Sequence, residues 1–229
     1  MENIIFCSSP FQVLVAKEVV QTVSEDFIGI YLKMSNDSRQ DFYAERMAEF
    51  CKEVLVLEGK TVFNDIQEAL KDRAISNLYL ASLDNPVALS VFNPSTMNLY
   101  TFDDGSTSVV PLNLYTQNLE RGIPYTNFTL REVMSLSNRH YTVFEDCILF
   151  PKEKQVFLKL HLEPSHFHRA KNGKKISIFL GQFLGSLLYQ EDLELTQKLT
   201  AKVLDEQKID YYYPHPRVPL NPYQDKLKE

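Results

Sequence analysis

Short apolar runs alternate with amphipathic stretches through the first hundred residues of the chain. The apolar runs have the length and β-branched content of buried parallel strands, and the stretches between them carry apolar residues at helical spacing. Ser8-Ser9-Pro10 supplies a cap and a first-turn proline for the first helix. This alternation predicts a parallel, doubly wound α/β sheet. The predicted strands are NIIFCS, FIGIYL, EVLVLE, NLYLAS and MNLYTF, and the predicted helices are FQVLVAKEVVQTV, the polar stretch to about Glu49, TVFNDIQEALKDRA and NPVALSVF.

The alternation stops after Asp103 and resumes near the C-terminus. Residues 109–141 are rich in asparagine and tyrosine, with one predicted helix (NFTLREVMSLSN), and HLEPSHFHRAKNGKK has the composition of a linker. The strand KISIFLG, the helix QEDLELTQKLTAKVLDEQ and the strand IDYYY then form a second α/β unit. We therefore predict a Rossmann-like domain over residues 1–153 and a linker with a partial second domain over residues 154–229.

Composition narrows the class of protein. The chain has 229 residues, 44% of them hydrophobic and 24% charged, which is typical of a globular protein with a substantial core. Its formal charge of −6 argues against nucleic-acid binding, which requires a basic face. Cys7, Cys51 and Cys147 are odd in number and lack metal-binding spacing, so we predict buried thiols in a reducing compartment. With no apolar run of membrane-spanning length, we expect a cytoplasmic protein.

The scarcity of glycine excludes two common nucleotide-binding motifs. Only seven glycines occur in the chain, and neither GxGxxG after the first strand nor GxxxxGK[ST] is present. Those motifs need glycine wherever the backbone approaches a phosphate closely. A classical dinucleotide site and a P-loop are therefore both unexpected.

Asp103, Asp104 and Gly105 follow directly on the predicted strand MNLYTF. Ligands of open α/β sheets bind beyond the carboxyl ends of the strands, so these acids are candidates for a base or for contacts to an acceptor. An ordinary Asp-Gly turn would give the same three residues.

His215 lies between two prolines at the end of the predicted strand IDYYY, and Arg217 follows it. Proline fixes its own φ and restricts the residue before it, so the imidazole is held in one direction. A histidine there could protonate a leaving phosphate and the arginine could bind it. The alternative is an exposed histidine in a proline-rich end of an edge strand.

Glu191 and Asp192 begin the helix that follows Gly181. Acidic residues in a first turn are favoured by the helix dipole, so capping is one interpretation and catalysis the other. His161, His166 and His168 lie in or near the linker without cysteine or acidic partners at suitable spacing. We interpret them as solvated and predict no metal site.

The ordered set of these segments resembles the bacterial sialyltransferases of glycosyltransferase family 52. The matching segments are NIIFCSSPFQVLVAKEV, LYLASLDNPVALSVF, LYTFDDGS, HYTVFEDC, KISIFLG and YYPHPR. They span most of the chain from Asn3 to Arg217 in the order of the family.

The resemblance implies a GT-B-like fold, in which two Rossmann-type domains face each other across a cleft. It implies an inverting, metal-independent transfer of sialic acid from CMP-sialic acid to a glycan acceptor, with no cofactor. His215 would be the acid toward the departing phosphate and Asp192 the base, with Glu191 as the alternative base. Substrate contacts would come from the set Asp103, Asp104, Gly105, Gly181, Pro216 and Arg217.

The resemblance also sets expectations about the chain as a whole. Family members continue well beyond the HPR motif, so we expect the second domain to be truncated here. Members of the family dimerise by exchanging structural elements between their two copies, so we expect a homodimer. Because the substrate would be a surface glycan, we also expect contact with the inner face of a membrane. Two other functions stay open: a family glycosyltransferase with another donor, such as a glucosyl nucleotide, and a catalytically incomplete binding or assembly protein.

Overall fold

The computed structural model describes residues 2–34, 38–111, 113–161, 177–180, 190–207 and 209–213. The chain divides into two compact units, Met1–Leu162 and Glu163–Glu229. In the first unit the strands are β1 (Glu2–Cys7), β2 (Phe27–Leu32), β3 (Glu53–Leu57), β4 (Ile75–Leu80), β5 (Asn98–Phe102), β6 (Ser137–Thr142) and β7 (Gln155–Phe157). The helices are α1 (Pro10–Val23), α2 (Ser38–Met47), α3 (Val62–Leu70), α4 (Pro86–Leu89), α5 (Leu114–Gln117) and α6 (Leu130–Leu136).

The seven strands form one parallel sheet in the order β3-β2-β1-β4-β5-β6-β7. The chain moves outward from β1 to β3 and then returns to build the other half from β4. This order is that of a Rossmann-type sheet, so the predicted α/β class is confirmed for the first unit. The facing of two such domains across a cleft stays a prediction.

Both faces of the sheet are covered, as the apolar runs predicted. In β1, Ile4 and Phe6 belong to one buried cluster, whereas Ile5 and Cys7 belong to the other. Helices α1 and α2 contribute to the second cluster, and α3, α4 and α6 contribute to the first. Because successive side chains of a strand point to opposite faces, a run without polar residues requires helices on both sides.

The predicted break in the pattern after Asp103 is wrong in one respect, because two further strands join the sheet. Helix α6 begins at the Thr129 cap, where Thr129 and Glu132 form a capping box, and it leads directly into β6. Strand β6 reads SNRHYT, and its buried polar residues include His140. The apolar pattern missed this strand because hydrogen bonds, not apolar character, satisfy its buried side chains. Strand β7 lies beyond residue 153, the predicted end of the first domain.

The second unit contains a βαβ element. Strands β8 (Ile178–Leu180) and β9 (Tyr211–Tyr213) pair in parallel, and α7 (Gln190–Glu206) connects them. These elements fall within the predicted KISIFLG, QEDLELTQKLTAKVLDEQ and IDYYY segments. The assignment of this unit to a nucleotide-sugar domain stays a prediction.

The predicted cysteine state is confirmed, since Cys7, Cys51 and Cys147 are buried and unpaired. Among the helices that the structure describes, none has both the length and the apolarity needed to cross a bilayer.

Four asparagines form a hydrogen-bonded ladder across the amino ends of β1, β4, β5 and β6. The buried Asn3 donates its amide to the Glu25 carboxylate (2.8 Å) and to the Asp26 carbonyl (3.1 Å). These acceptors fix the direction of its amide, so its oxygen faces the next strand and starts the ladder. The remaining bonds run from Asn77 to Asn3 (2.6 Å), from Asn98 to Asn77 (3.0 Å) and from Asn138 to Asn98 (3.2 Å).

Replacing Asn77 should break this ladder at its buried end. Asn77→Ala leaves the buried Asn3 oxygen without its partner, and an unsatisfied buried polar group costs about 1–3 kcal/mol in the free energy of unfolding. Asn138→Ala is the matched control, because this exposed end of the ladder can bond to water instead. Urea denaturation followed by circular dichroism measures both variants, and equal losses of stability would contradict the expectation.

Candidate functional site

The candidate site lies beyond the carboxyl ends of β1, β4 and β5. Strands β1 and β4 are neighbours, but the connections that leave them run to opposite halves of the sheet. At such a switch point the two connections separate and leave a crevice, which is where open α/β sheets bind ligands. The predicted Asp103-Asp104-Gly105 segment follows β5, directly beside this point.

The Asp104 carboxylate is held by three side chains from three different parts of the chain. Its Oδ1 accepts a hydrogen bond from Gln12 Nε2 (2.5 Å) on α1. Its Oδ2 accepts from Ser82 Oγ (2.8 Å), beyond β4, and from the Tyr115 hydroxyl (3.1 Å) on α5. The structure thus joins the carboxyl ends of β4 and β5 with α1 and α5 around one partly exposed carboxylate.

The surroundings of Asp104 raise its pKa above the ordinary value. Burial is the largest cause, and the nearby Asp84 carboxylate adds to it, whereas the hydrogen bonds from Gln12, Ser82 and Tyr115 work in the opposite direction. Ionisable groups with raised pKa values in a crevice are candidates for function. Such a carboxylate can accept a hydrogen bond from a ligand hydroxyl while it stays fixed in direction.

Asp103 has a different position, because its side chain is fully buried. It accepts hydrogen bonds from Ser108 Oγ (2.5 Å) and from the Val143 backbone N–H (2.7 Å), and it lies 3.2 Å from His140 Nε2. These contacts connect the end of β5 to the end of β6 and to the loop that follows. Asp103 is therefore placed to hold the loops that follow β5 and β6, whereas Asp104 is exposed enough to contact a ligand.

His140 is buried on β6 between Asp103 and other polar groups. Its Nδ1 lies 3.0 Å from Thr101 Oγ1, and its ring stacks on Phe150. Burial alone would lower the pKa of His140, but hydrogen bonds with Asp103 and Cys147 outweigh burial and raise the pKa. In turn, burial works to raise the pKa of the Cys147 thiol, but the interaction with His140 outweighs it and lowers the pKa. His140 thus connects the buried Asp103 to the buried Cys147, away from solvent.

Gly105 makes the loop possible. Its φ of 86° and ψ of −149° lie in a region that is essentially restricted to glycine. The turn there brings Ser108 back to Asp103. The predicted Asp-Gly turn thus places Ser108 against Asp103, next to the partly exposed carboxylate of Asp104.

Sequence reasoning missed several side chains of this site, among them Gln12, Ser82, Tyr115 and His140. Gln12 has a recognisable signal, since it is a polar residue within the apolar run PFQVLVA of α1, whereas His140 lies in the polar strand β6. Ser82 and Tyr115 carry no such signal, because tertiary folding alone brings them to Asp104.

The structure describes some of the remaining residues that were singled out from the sequence as candidate site residues. Glu191 and Asp192 lie in the first turn of α7, as expected from the sequence. The N–H and ring Nδ1 of His161 each lie 2.9 Å from the carboxylate of the buried Glu18. Within the described ranges, no group of three or more His, Cys, Asp or Glu residues is placed to hold a metal ion. The predicted residues that lie outside the described ranges are His166, His168, Gly181, His215, Pro216 and Arg217.

Comparison with known proteins gives a family match over most of the chain. The family model of glycosyltransferase family 52 matches residues 24–222. A CMP-N-acetylneuraminate:beta-galactoside alpha-2,3-sialyltransferase of Pasteurella multocida is 27% identical over 94% of this chain and 73% of the relative. An N-acetyllactosaminide alpha-2,3-sialyltransferase of Haemophilus influenzae is also 27% identical, over 93% of this chain and 73% of the relative. The chain therefore belongs to glycosyltransferase family 52.

Proposed function

We propose that the protein transfers sialic acid from CMP-sialic acid to a terminal galactose of a bacterial surface glycan, either lipooligosaccharide or capsule. The observation that carries this proposal is the similarity to two alpha-2,3-sialyltransferases over more than nine-tenths of the chain. Both relatives are named for galactose-containing acceptors, a beta-galactoside and an N-acetyllactosaminide. We further propose that the reaction takes place in the cytoplasm at the inner face of the membrane, in a homodimer.

The proposed chemistry is an inverting displacement at the anomeric carbon of sialic acid. The acceptor hydroxyl oxygen forms the new C–O bond while the bond from that carbon to the CMP phosphate oxygen breaks. Asp192 takes the proton of the attacking hydroxyl, and His215 donates a proton to the departing phosphate, with Arg217 bound to it. One base and one group that offsets phosphate charge are the requirements of such a transfer.

We assign the acceptor to the first unit and CMP to the second, in a GT-B-like arrangement. Support for the first assignment comes from the Asp104 carboxylate, which stands partly exposed at the switch point of the sheet. Carboxylates accept hydrogen bonds from the vicinal hydroxyls of a sugar, and a galactose acceptor is uncharged. Support for the second comes from the βαβ element of the second unit, because parallel strands joined by a helix are the building unit of nucleotide-binding Rossmann-type domains.

Donor selectivity tests the proposed function directly. Because a ligand that binds only the folded state stabilises it by about 2.7 kcal/mol at a hundred times its Kd, CMP and CMP-sialic acid should raise Tm clearly. UDP, GDP and UDP-glucose should have little effect at the same concentrations. Release of CMP from CMP-sialic acid in the presence of lactose, measured by chromatography, provides the activity. A larger shift with UDP or GDP would support the glucosyl alternative, and a stable chain that transfers nothing would support the binding-protein alternative.

Replacing the two proposed catalytic residues should affect different halves of the reaction. His215→Ala should lower kcat by about 10²–10⁴-fold, the usual contribution of a general acid, and leave Tm unchanged. A donor with a better leaving group should restore part of the rate, because less protonation is needed. Asp192→Asn should lower kcat without such rescue, since its role is on the acceptor hydroxyl. His168→Ala is the matched control, and equal turnover of His215→Ala and the control would refute the role of His215.

Asparagine substitutions should distinguish the proposed structural role of Asp103 from the proposed acceptor contact of Asp104. Asp103→Asn replaces a buried acceptor with an amide whose NH₂ cannot accept from Ser108 Oγ or the Val143 N–H, which costs about 1–3 kcal/mol in the free energy of unfolding, so Tm should fall. Asp104→Asn should lower Tm less than Asp103→Asn does, because Asp104 is partly exposed, and it should raise KM for lactose. Thermal unfolding and initial rates with varied lactose measure both effects. The opposite pattern would assign acceptor contact to Asp103.

A further inference from the structure

Gln12 is a buried polar residue in the first turn of α1, and only 3% of its side chain is exposed. Its Oε1 accepts hydrogen bonds from the Ser8 backbone N–H (2.6 Å) and from Ser8 Oγ (3.2 Å). Its Nε2 donates to Asp104 Oδ1 (2.5 Å) and to Ser82 Oγ (3.1 Å). One side chain thus connects the residues that follow β1, β4 and β5.

The direction of the Gln12 amide is determined by its partners. The Ser8 backbone N–H can only donate a hydrogen bond, and the ionised Asp104 carboxylate can only accept one. An inverted amide would place its NH₂ against the Ser8 N–H and its oxygen against the carboxylate. Gln12 therefore has one stable orientation, and that orientation fixes Oδ1 of Asp104.

The contacts of Asp104 leave room for one more donor. An ionised carboxylate has about four lone-pair positions, and the bonds from Gln12, Ser82 and Tyr115 occupy three. All three bonds stabilise the charged form against the burial that raises the pKa of Asp104. Losing the Gln12 bond would therefore favour the protonated acid, which carries an O–H donor where the carboxylate had an acceptor position.

We propose that Gln12 is a positioning residue for the sugar acceptor, and that it holds the Asp104 carboxylate directed toward a hydroxyl of that sugar. The inference rests on the proposed function, since it assigns the acceptor to the crevice at β1, β4 and β5. It goes beyond that function because it assigns Gln12 a role that is exerted through Asp104.

The charged and titratable groups that face Asp104 determine how acceptor binding should depend on pH. Asp84, beyond β4, repels the ionised carboxylate and raises the pKa of Asp104. Tyr115 on α5 and Cys7 at the end of β1 interact with Asp104, and burial is the main cause that raises the pKa of each of these two groups. Both are therefore neutral near neutral pH, so we attribute the loss of acceptor binding on the acidic side of the pH profile (its acidic limb) to protonation of Asp104.

Gln12→Met tests the role of the amide, because methionine has a similar length without hydrogen-bonding groups. We expect KM for lactose to rise about tenfold or more near neutral pH, the usual effect of losing a hydrogen bond to a charged group. The acidic limb of kcat/KM for lactose should move to higher pH. Hydrolysis of CMP-sialic acid without acceptor should be unchanged. Gln67→Met is the matched control, since this exposed glutamine donates only to the Ser90 carbonyl on another face.

A second variant and a direct titration keep the test independent of folding losses. Gln12→Glu retains the size of the side chain but places a carboxylate oxygen against Asp104, so it should move the acidic limb further than Gln12→Met does. Carbon-13 NMR of labelled aspartate carboxyls should show the pKa of Asp104 raised in both variants. In the Asp104→Asn background, Gln12→Met should leave KM for lactose nearly unaltered.

The outcomes separate the positioning role from the proposed function. Wild-type transfer to lactose together with an unchanged KM and unchanged acidic limb in Gln12→Met would overturn the positioning role alone. Equal effects of Gln12→Met with and without Asp104 would mean that Gln12 is only structural, and would also overturn it. Failure of the wild-type protein to use CMP-sialic acid would overturn the proposed function, whereas an unshifted NMR titration of Asp104 would contradict the inference by itself.

Discussion

The fully buried carboxylate of Asp103 constrains the carboxyl ends of β5 and β6 and the loops that follow them. A buried carboxylate is costly unless hydrogen bonds and charge compensate it, so the chain must bring donors to it. Ser108 Oγ, the Val143 N–H and the His140 ring supply this compensation from the loop after β5 and from β6. The same contacts hold β6 beside β5, although β6 is poor in apolar residues. The position of the neighbouring Asp104 follows from this arrangement.

Two adjacent aspartates have different surroundings because an extended chain directs successive side chains to opposite sides. Asp103 points into the polar core between β5 and β6, whereas Asp104 turns toward α1, β4 and α5. Gly105 then reverses the chain at a φ of 86°, which a residue with a Cβ would adopt only with strain. The buried contact between Asp103 and His140 thus lies next to the partly exposed carboxylate of Asp104. A carboxylate held in this way is suited to accept hydrogen bonds from a neutral molecule with several hydroxyl groups.

The candidate site around Asp104 is built on the connections between strands of the sheet. The side chains around Asp104 come from residues that directly follow strands or begin helices, so the sheet fixes their positions. At the other end of the first unit, the buried Glu18 on α1 holds the N–H and ring of His161, one residue before the unit ends at Leu162. The chain therefore leaves the first unit from a point fixed to the same helix that carries Gln12.

Sequence alone determined the class of the fold, the strands β1 to β5 and the acids after β5. These features depend on local signals: apolar runs, helical spacing, the Ser9 cap with Pro10, and the Asp-Gly turn. It also led to the family, through an ordered set of segments that no single motif would establish. The position of Glu191 and Asp192 at the start of α7 was predictable for the same local reason.

Tertiary structure alone decided β6 and β7, the separation of Asp103 from Asp104, and the residues that hold them. Strand β6 carries polar residues whose burial becomes favourable only once Asp103 and Thr101 stand beside them. Gln12, Ser82 and Tyr115 lie between 11 and 92 positions from Asp104 along the chain, so no local pattern connects them. Helix and strand propensity depends on neighbouring residues in the sequence. The hydrogen bonds that stabilise a buried carboxylate come instead from groups that only the folded sheet brings together.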